Sequence, residues 1–316
     1  MTAAGELLAG EIRRDGPIPF RRFMEVALYH PEHGYYRRAR DPFGKAGDFF
    51  TAEQIQPVFG ILTAARIRQL YREMGEPEDF TVVELGAGRG EMAEAFAEWR
   101  YIPVEVGSGA LPGKFRGVVF SNEFFDALPV DVAIFREGAF REHRVGWSEG
   151  RFVWQICDVV PEAMEKYLRR FFVPPEEGRW YEVNLAALEW IDRIADALES
   201  GWILTIDYGY TRPESIRFPA GTLMSYRRHT ARENVLDDPG ERDITAHVNF
   251  TAIEEHSAAR GLATQGFETL ARMLLDAGEA DQFASAIGDD FDRRMQLKTL
   301  LFGMGESFRV LLQKAR

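Results

Sequence analysis

The sequence predicts an α/β fold with a doubly wound, largely parallel sheet covered by helices. First, short apolar runs with β-branched residues alternate with segments of helical spacing, which is typical of helices packed on a parallel sheet. Second, the run 80–85 has a buried-strand pattern and leads into a turn with three glycines and then into helical spacing at 91–99. Strand, glycine turn and helix in this order form one βα unit.

The other elements follow from the spacing of apolar residues and from turn residues. Helices are predicted at 5–14, 19–29, 52–73, 185–198, 251–260 and 270–275. Strands are predicted at 102–106, 118–120, 202–206, 262–265 and 308–312. Alternating apolar and polar residues between glycines predict antiparallel hairpins at 132–155.

The domain organisation is predicted from what the chain adds to a minimal α/β domain. The segment 1–75 is helical with an aromatic, glycine-rich loop, and further elements are inserted around 132–180 and 211–250, the latter mostly loop. Because no linker rich in proline, serine and glycine divides the chain, we expect a single domain over 1–316.

Composition and charge restrict the function classes. The 316 residues are 46% apolar and 28% charged, as in globular rather than disordered or collagen-like proteins. The formal net charge of −12 repels phosphate backbones, so no nucleic acid partner is expected. The single cysteine, Cys157, excludes an internal disulfide and a cysteine-built zinc site. The six histidines lack the His-Glu-x-x-His spacing, so no metal site is predicted.

The expected location is the cytoplasm. No apolar run reaches the length of a membrane span, so membrane insertion is not expected. The N-terminal residues have no apolar core of signal-peptide length, and they include the acids Glu6, Glu11 and Asp15, which are unusual in transit peptides. One free cysteine fits a reducing compartment.

The glycine turn is the sharpest local pattern, and it reads Glu84-Leu85-Gly86-Ala87-Gly88-Arg89-Gly90-Glu91. Glycines at three alternate positions let the backbone turn tightly and let a ligand approach it closely. The N-terminus of the predicted helix would add free N–H groups. At the carboxyl end of a parallel strand, such a turn is the usual ligand crevice of an open α/β sheet.

The acids around this turn favour a cationic nucleoside as the ligand. The dinucleotide fingerprint needs glycine at the sixth position, where this chain has Glu91, a carboxylate that would repel a pyrophosphate. Glu84 also lies two residues before the first glycine. S-adenosylmethionine has a sulfonium and an amino group and no phosphate, so the turn predicts S-adenosyl-L-methionine as cofactor. A nicotinamide oxidoreductase is a weaker alternative.

A second strand end carries polar and aromatic groups in the run 118–129. Asn122 offers an acceptor and donors, and Glu123 and Asp126 could bind a cationic acceptor group. The alternative is that Asn122 caps a short helix and the acids are solvated. Asp207, at the end of the apolar strand 202–206, invites the same two interpretations.

Taken together, these residues resemble the MidA-like family of S-adenosylmethionine-dependent methyltransferases, whose mitochondrial relative is an arginine methyltransferase that assists complex I assembly. The resemblance covers nearly the whole chain and follows the family's order. Besides the glycine turn and 121–129, it rests on Gly16-Pro17-Ile18-Pro19-Phe20, His33-Gly34-Tyr35-Tyr36, Gly47-Asp48-Phe49-Phe50-Thr51, Ile206-Asp207-Tyr208-Gly209 and 243–250. It implies a class I methyltransferase fold, Rossmann-like, with additional helical and hairpin elements.

The resemblance also implies that 47–51 folds over the cofactor. The predicted cofactor-binding residues are therefore Gly47, Asp48, Thr51, Glu84, Gly86, Ala87, Gly88, Gly90, Glu105 and Asn122. The stretch after the glycine turn is shorter than in the family and leaves room for one strand, 102–106. Glu105 then either grips the ribose hydroxyls, or belongs to the later strand near adenine with the ribose acid deleted.

The expected reaction is methyl transfer to a protein side chain, which the resemblance specifies as arginine. A guanidinium is protonated at neutral pH, so a carboxylate must orient it and assist loss of a proton. Glu123, Asp126 and Asp207 are the predicted catalytic residues. The resemblance implies a protein substrate such as a respiratory complex I subunit, and the sequence leaves the oligomeric state open. The alternative, motivated by the shortened segment, is a non-catalytic assembly factor with a degenerate cofactor site.

Overall fold

In the computed structural model of the protein, the described residues are 1–37, 52–106, 108–227, 230–232 and 234–315. The predicted cofactor residues Gly47, Asp48 and Thr51 lie outside them, so their role stays a prediction.

The described residues form nine α-helices and fourteen strands. The α-helices are α1 Ala3–Asp15, α2 Phe20–Tyr29, α3 Val58–Glu73, α4 Glu162–Phe171, α5 Leu185–Ala197, α6 Phe250–Ala259, α7 Leu270–Glu279, α8 Ala284–Ile287 and α9 Phe291–Thr299. The first seven strands are β1 Phe80–Leu85, β2 Arg100–Val104, β3 Phe115–Asn122, β4 Asp131–Arg136, β5 Ala139–Ser148, β6 Arg151–Val159 and β7 Trp180–Val183. The other seven are β8 Leu198–Tyr210, β9 Met224–Arg227, β10 Thr230–Arg232, β11 Asp243–Thr245, β12 Val248–Asn249, β13 Leu262–Thr269 and β14 Phe308–Ala315.

The chain divides into two compact units, each made of three stretches. Unit 1 consists of Met1–Phe50, Asp126–Leu188 and Tyr210–Ala252. Unit 2 consists of Thr51–Phe125, Glu189–Gly209 and Ile253–Arg316. The single domain over 1–316 stays a prediction.

Unit 2 contains a sheet with the strand order β13-β14-β8-β3-β1-β2. The four strands β2, β1, β3 and β8 run parallel, whereas β14 is antiparallel to both of its neighbours. The carboxyl ends of the four parallel strands therefore meet at one edge of the sheet, which we call the carboxyl edge. This arrangement confirms the predicted α/β fold.

The central strands β1, β3 and β8 of unit 2 are buried on both faces. Val82, Phe120 and Leu204 share one core with α3 and α7, which contribute Phe59 and Leu274. The alternate strand residues Val83, Val119 and Ile203 point to the other face and are buried as well. Strands covered on both sides are mostly apolar, which is why the sequence pattern identifies β1 and β3.

Unit 1 is built around the antiparallel sheet β6-β5-β4-β7, as the predicted hairpins require. The β4–β5 turn has positive φ at Glu137 and Gly138, and the β5–β6 turn has it at Glu149 and Gly150. Two consecutive residues with positive φ match the right-handed strand twist in tight hairpins. Helices α1 and α2 pack their apolar residues, including Leu8 and Phe23, in the core of this unit.

One predicted helix is wrong. Residues 86–99 form successive turns rather than the helix predicted at 91–99. Several of their N–H groups bond three residues back, as Ala93 does to Gly90 and Trp99 to Phe96, while the buried Met92 and Phe96 produce the helical spacing.

The stretch 211–250 is mostly loop in its described residues, as predicted. Its short strands β10, β9 and β11 form a three-stranded sheet that the sequence pattern does not predict.

Candidate functional site at the carboxyl edge

The glycine turn links β1 to the strand beside it. The N–H groups of Gly86 and Ala87 donate to the carbonyl of Val104, at 2.9 and 3.4 Å. Gly86 has a φ of 71°, and a Cβ there would lie 3.0 Å from the Phe124 ring. Gly88 is exposed and also has a positive φ. Any side chain at Gly86 would therefore both strain the turn and fill the space beside the ring.

Glu105 follows β2 directly and reaches back to the glycine turn. One carboxylate oxygen accepts from the Gly88 N–H at 2.9 Å, and the other accepts from the N–H of Val106. Because β2 is the parallel neighbour of β1, Glu105 stands beside the turn and not on a later strand. This placement favours the ribose role of the two open alternatives, and that role stays a prediction.

Glu84 and a residue that sequence reasoning missed, Glu53, form a buried acidic pair. Glu84, in β1, is fully buried, and Glu53, in the 3₁₀ turn Ala52–Gln54, is 6% exposed. The two side chains are hydrogen-bonded to each other. Since ionised carboxylates only accept hydrogen bonds, this contact needs a proton on one of them. The Tyr101 hydroxyl donates to the second oxygen of Glu84.

Burial shifts the titration of this pair. It is the largest cause that raises the pKa of Glu84 to about 7, and the Tyr101 hydrogen bond opposes it by stabilising the carboxylate. Burial also raises the pKa of Glu53 well above its usual range, and the charges of Glu84, Glu123 and Glu91 add to the shift. Because Tyr101 stabilises the ionised form of Glu84, Glu53 is the member that carries the proton.

The end of β3 places Glu123 in an uncommon conformation. Its φ of 51° lies in the left-handed region, which non-glycine residues rarely adopt and which occurs preferentially at functional sites. One carboxylate oxygen accepts from the backbone N–H of Ala52 and from the Asn122 amide, both at 3.2 Å. Residues 123–130 form bends and turns, so the alternative in which Asn122 caps a helix is wrong.

Asp207 accepts hydrogen bonds that stabilise the turn after β3. It is fully buried, and its two oxygens accept from the backbone N–H groups of Phe125 (3.0 Å) and Tyr208 (2.9 Å). The Glu123 N–H donates to the carbonyl of Ile206 at 3.0 Å. Through these contacts Asp207 positions the backbone at the end of β3, and its catalytic role stays a prediction. The third predicted catalytic acid, Asp126, is a buried residue of unit 1.

Aromatic residues line the same strand end. Phe124 meets Trp190 edge to face, with ring centroids 5.2 Å apart, and Phe125 is buried beside it. The Arg193 guanidinium lies over the Trp190 ring. Within the described ranges, no group of three metal-ligating side chains is present.

The residues at the carboxyl edge fit a cationic nucleoside. At Gly86 there is space that a Cβ would fill, and Oε1 of both Glu53 and Glu84 is buried with no hydrogen-bond donor other than the pair itself in the described part of the chain. Acceptors without donors suit a ligand that brings positive charge, as a sulfonium nucleoside does, and would repel a phosphate. Glu84, Gly86, Gly88, Glu105 and Asn122 thus come together as the sequence predicts, although their contacts with the cofactor stay predictions.

Comparisons with known proteins agree with this chemistry. Residues 97–268 match the family described as "Putative S-adenosyl-L-methionine-dependent methyltransferase". A crystal structure from Burkholderia thailandensis with bound S-adenosylhomocysteine is 30% identical in sequence, with a TM-score of 0.89 over 99% of this chain and 92% of that one. A native structure from the same organism is 29% identical, with a TM-score of 0.82 over 99% and 91% of the two chains.

Curated relatives add a further similarity. "Protein arginine methyltransferase NDUFAF7 homolog, mitochondrial" from Drosophila melanogaster is 26% identical, over 80% of this chain and 70% of its own length. "Protein arginine methyltransferase NDUFAF7, mitochondrial" from Homo sapiens is 25% identical, over 94% of this chain and 80% of its own length.

These names correct the expected location. The cytoplasmic prediction is wrong, because the relatives are named as mitochondrial proteins. The prediction relied on the composition of the first residues, but Ala3–Asp15 is helix α1, whose Leu8 and Ile12 pack in the core of unit 1. Its composition thus reflects packing in the fold. Among the described residues, no helix combines the length and apolarity that crossing a bilayer requires.

The fold, the glycine turn and the family match lead to one conclusion. The chain belongs to this family of S-adenosylmethionine-dependent methyltransferases, and it is an enzyme whose cofactor is S-adenosyl-L-methionine.

Proposed function

We propose that this methyltransferase methylates an arginine side chain of a protein, and that Glu123 is its catalytic carboxylate. The observation that carries the proposal is the left-handed conformation of Glu123 at the carboxyl edge, beside the glycine turn. The names of the relatives, which are protein arginine methyltransferases, support the choice of acceptor.

The carboxylate is needed because of the acceptor's charge. A guanidinium holds its proton at neutral pH and is then a poor nucleophile. Glu123 would bind it, orient one nitrogen and accept the proton that leaves as the new N–C bond forms. The cofactor supplies an activated methyl group, whose S–C bond breaks in the same step to leave a neutral thioether. Positioning of the two reactants then supplies most of the rate enhancement.

The other acids would support this step. Asp207 holds the backbone of Phe125 and Tyr208, and through this turn it would set the direction of Glu123. Asp126 follows in the chain and is the second candidate for binding the acceptor. We further propose a respiratory complex I subunit as the protein substrate, as the family resemblance implies.

The alternative of a non-catalytic assembly factor loses its motivation. It rested on the shortened segment after the glycine turn, but that segment forms β2 and ends in Glu105, next to the turn. No other observation favours a degenerate cofactor site.

Methyl transfer with a labelled donor tests the proposal. Purified protein is incubated with S-adenosylmethionine labelled in the methyl group and with isolated complex I subunits, and the products are hydrolysed for amino-acid analysis. We expect label in methylarginine. Label confined to other amino acids, or none although the donor binds, would contradict the proposed acceptor.

A further inference from the structure

Glu53 and Glu84 are an unusual feature of the carboxyl edge because two acids are buried against each other. Both lie in unit 2, one before helix α3 and one in β1. The exposed fraction is 6% for Glu53 and 0% for Glu84. Two carboxylates in contact away from water cannot both ionise without a large electrostatic cost.

Among the described residues, the charged groups that most affect the pair do not compensate for it. The main influences on Glu53 are burial and the acids Glu84, Glu123 and Glu91, which all disfavour its ionised form. Those on Glu84 are burial, the hydrogen bonds from Tyr101 and Glu53, and the acids Glu91 and Glu105. None of these main influences comes from a cationic side chain of the described residues, so a proton or a ligand is suited to supply the compensating charge.

We propose that Glu53 and Glu84 share one proton in the free enzyme and release it when the cationic methyl donor binds. The pair would then distinguish the donor from the spent product by charge, because S-adenosylmethionine carries a sulfonium that S-adenosylhomocysteine lacks. The inference rests on the cofactor site at the glycine turn and extends it with Glu53. The released proton goes to the solvent, and the pair takes one up again when the neutral product remains.

The pair accordingly links affinity to pH. Below the pKa of about 7 for Glu84, the pair holds a second proton that must also leave before the carboxylates attract the sulfonium, whereas above it only the shared proton remains. Affinity for S-adenosylmethionine relative to S-adenosylhomocysteine should therefore rise by about tenfold between pH 6 and pH 8, within the usual range of coupling between two binding events. The acids Glu91, Glu105 and Glu123 contribute to the same field but are not buried in mutual contact.

Titration calorimetry tests the proposal on the full chain. Each ligand is titrated at pH 7 in phosphate and in Tris, whose ionisation enthalpies differ, so that proton release appears as a difference in measured heat. We expect S-adenosylmethionine to release a substantial fraction of one proton and S-adenosylhomocysteine to release none. Titrations at pH 6 and pH 8 then give the two affinities and their ratio.

Three variants test which residues cause the proton release and the pH dependence of the affinity ratio. Glu53→Gln keeps the size of the side chain and can donate a hydrogen bond to Glu84, so it should abolish both proton release and the change in the affinity ratio. Glu94→Gln removes the same charge from an exposed position of unit 2 and should behave like the wild type. Tyr101→Phe removes the donor that stabilises the Glu84 carboxylate, so the midpoint of the pH dependence should move upward.

The outcomes separate this inference from the function it extends. Equal heats in both buffers, or an unchanged affinity ratio in Glu53→Gln, would overturn the shared proton while leaving the methyltransferase site in place. If Glu53→Gln fails to fold, the upward shift in Tyr101→Phe decides the matter, and its absence overturns the proposal. If neither ligand binds the wild-type protein, both the cofactor site at the glycine turn and this inference are wrong.

Discussion

Buried acids have different surroundings in the two units. In unit 1, Asp131 lies 3.5 Å from Arg21, and Glu142 lies 2.7 Å from Arg144. In unit 2, Glu53 and Glu84 meet each other and a tyrosine hydroxyl. The arginines oppose the cost of burying the two acids beside them, whereas an acid pair without a cationic partner among the described residues retains the capacity to bind a cation. These two ion pairs serve the fold of unit 1, whereas the acid pair of unit 2 is the one that we propose to respond to the ligand.

The largest expected effect is on the rate of methyl transfer. Glu123→Gln should lower kcat by roughly 10² to 10⁴-fold, because the amide cannot accept the acceptor's proton. Donor affinity should stay within a few-fold, since this side chain is assigned to the acceptor. Single-turnover kinetics with labelled donor measure the rate, and calorimetry measures the affinity.

Its counterpart in unit 1 is Glu142→Gln. The substitution loosens the ion pair with Arg144 and should lower the free energy of unfolding without changing kcat in the folded fraction. A comparable fall in kcat in both variants would break the contrast between the units.

The next effect concerns the space at Gly86. Gly86→Ala should weaken donor binding on the order of tenfold or more, because the Phe124 ring and the turn must move to admit the Cβ. Gly75→Ala is the matched control, since Gly75 also has a positive φ but no neighbour near its Cβ. Both should lose about 1–2 kcal/mol of stability to backbone strain, and only Gly86→Ala should lose affinity. If the two variants bound the donor with equal affinity, the glycine turn would not be part of the cofactor site.

Lowering the pH should reduce the folding stability of the wild-type protein through a histidine of unit 1. Burial lowers the pKa of His143 to about 4 from an ordinary 6.5. Between these values the unfolded chain binds a proton that the folded one does not, so stability falls as the pH drops through this window. The full cost is roughly 3 kcal/mol. His143→Phe keeps a ring against Trp154 and Trp180 and should reduce the slope in urea unfolding between pH 6.5 and 4. Part of the slope should remain, because burial also lowers the pKa of His247 to about 4. An unchanged slope would show that another group causes it.

The acid pair of unit 2 should lower the stability of the protein as the pH rises, whereas His143 lowers it as the pH falls. The pKa of Glu84 is raised to about 7, so the folded protein binds the proton that the unfolded chain has lost, and stability falls as the pH rises from about 4.5 to 7. At pH 8, Glu53→Gln should therefore increase the free energy of unfolding by about 1–3 kcal/mol. At pH 5 the gain should be smaller, and Glu94→Gln should change little at either pH. A gain that is independent of pH would argue against a shared proton.

Sequence reasoning predicts the central parallel strands well because they are buried on both faces. The run 118–120 is apolar throughout and the run 80–85 is mostly so, and local composition alone distinguishes them. The sequence pattern does not identify helix α4, Glu162–Phe171, because half of its residues are charged and only four of them are buried. The helix predicted at 91–99 was wrong because buried turn residues such as Met92 and Phe96 can repeat at helical spacing.

The candidate site was only partly predictable for a related reason. The glycine turn and the run 121–126 are each a continuous stretch of sequence, so the chemistry of each can be recognised from the sequence. Glu53 is not, because its importance arises from contact with Glu84, a residue far along the chain. Before an amphipathic helix an acid normally indicates a solvated N-terminus, and only the observed burial of Glu53 shows otherwise.

The position of β14 has a consequence for how the protein is made. This strand, Phe308–Ala315, inserts between β8 and β13, both of which precede it in the chain. During synthesis those two strands emerge from the ribosome before β14, so the edges that β14 later covers stay unpaired until it has emerged as well. Unpaired strand edges promote aggregation, so chaperones that shield them would be most needed in that interval.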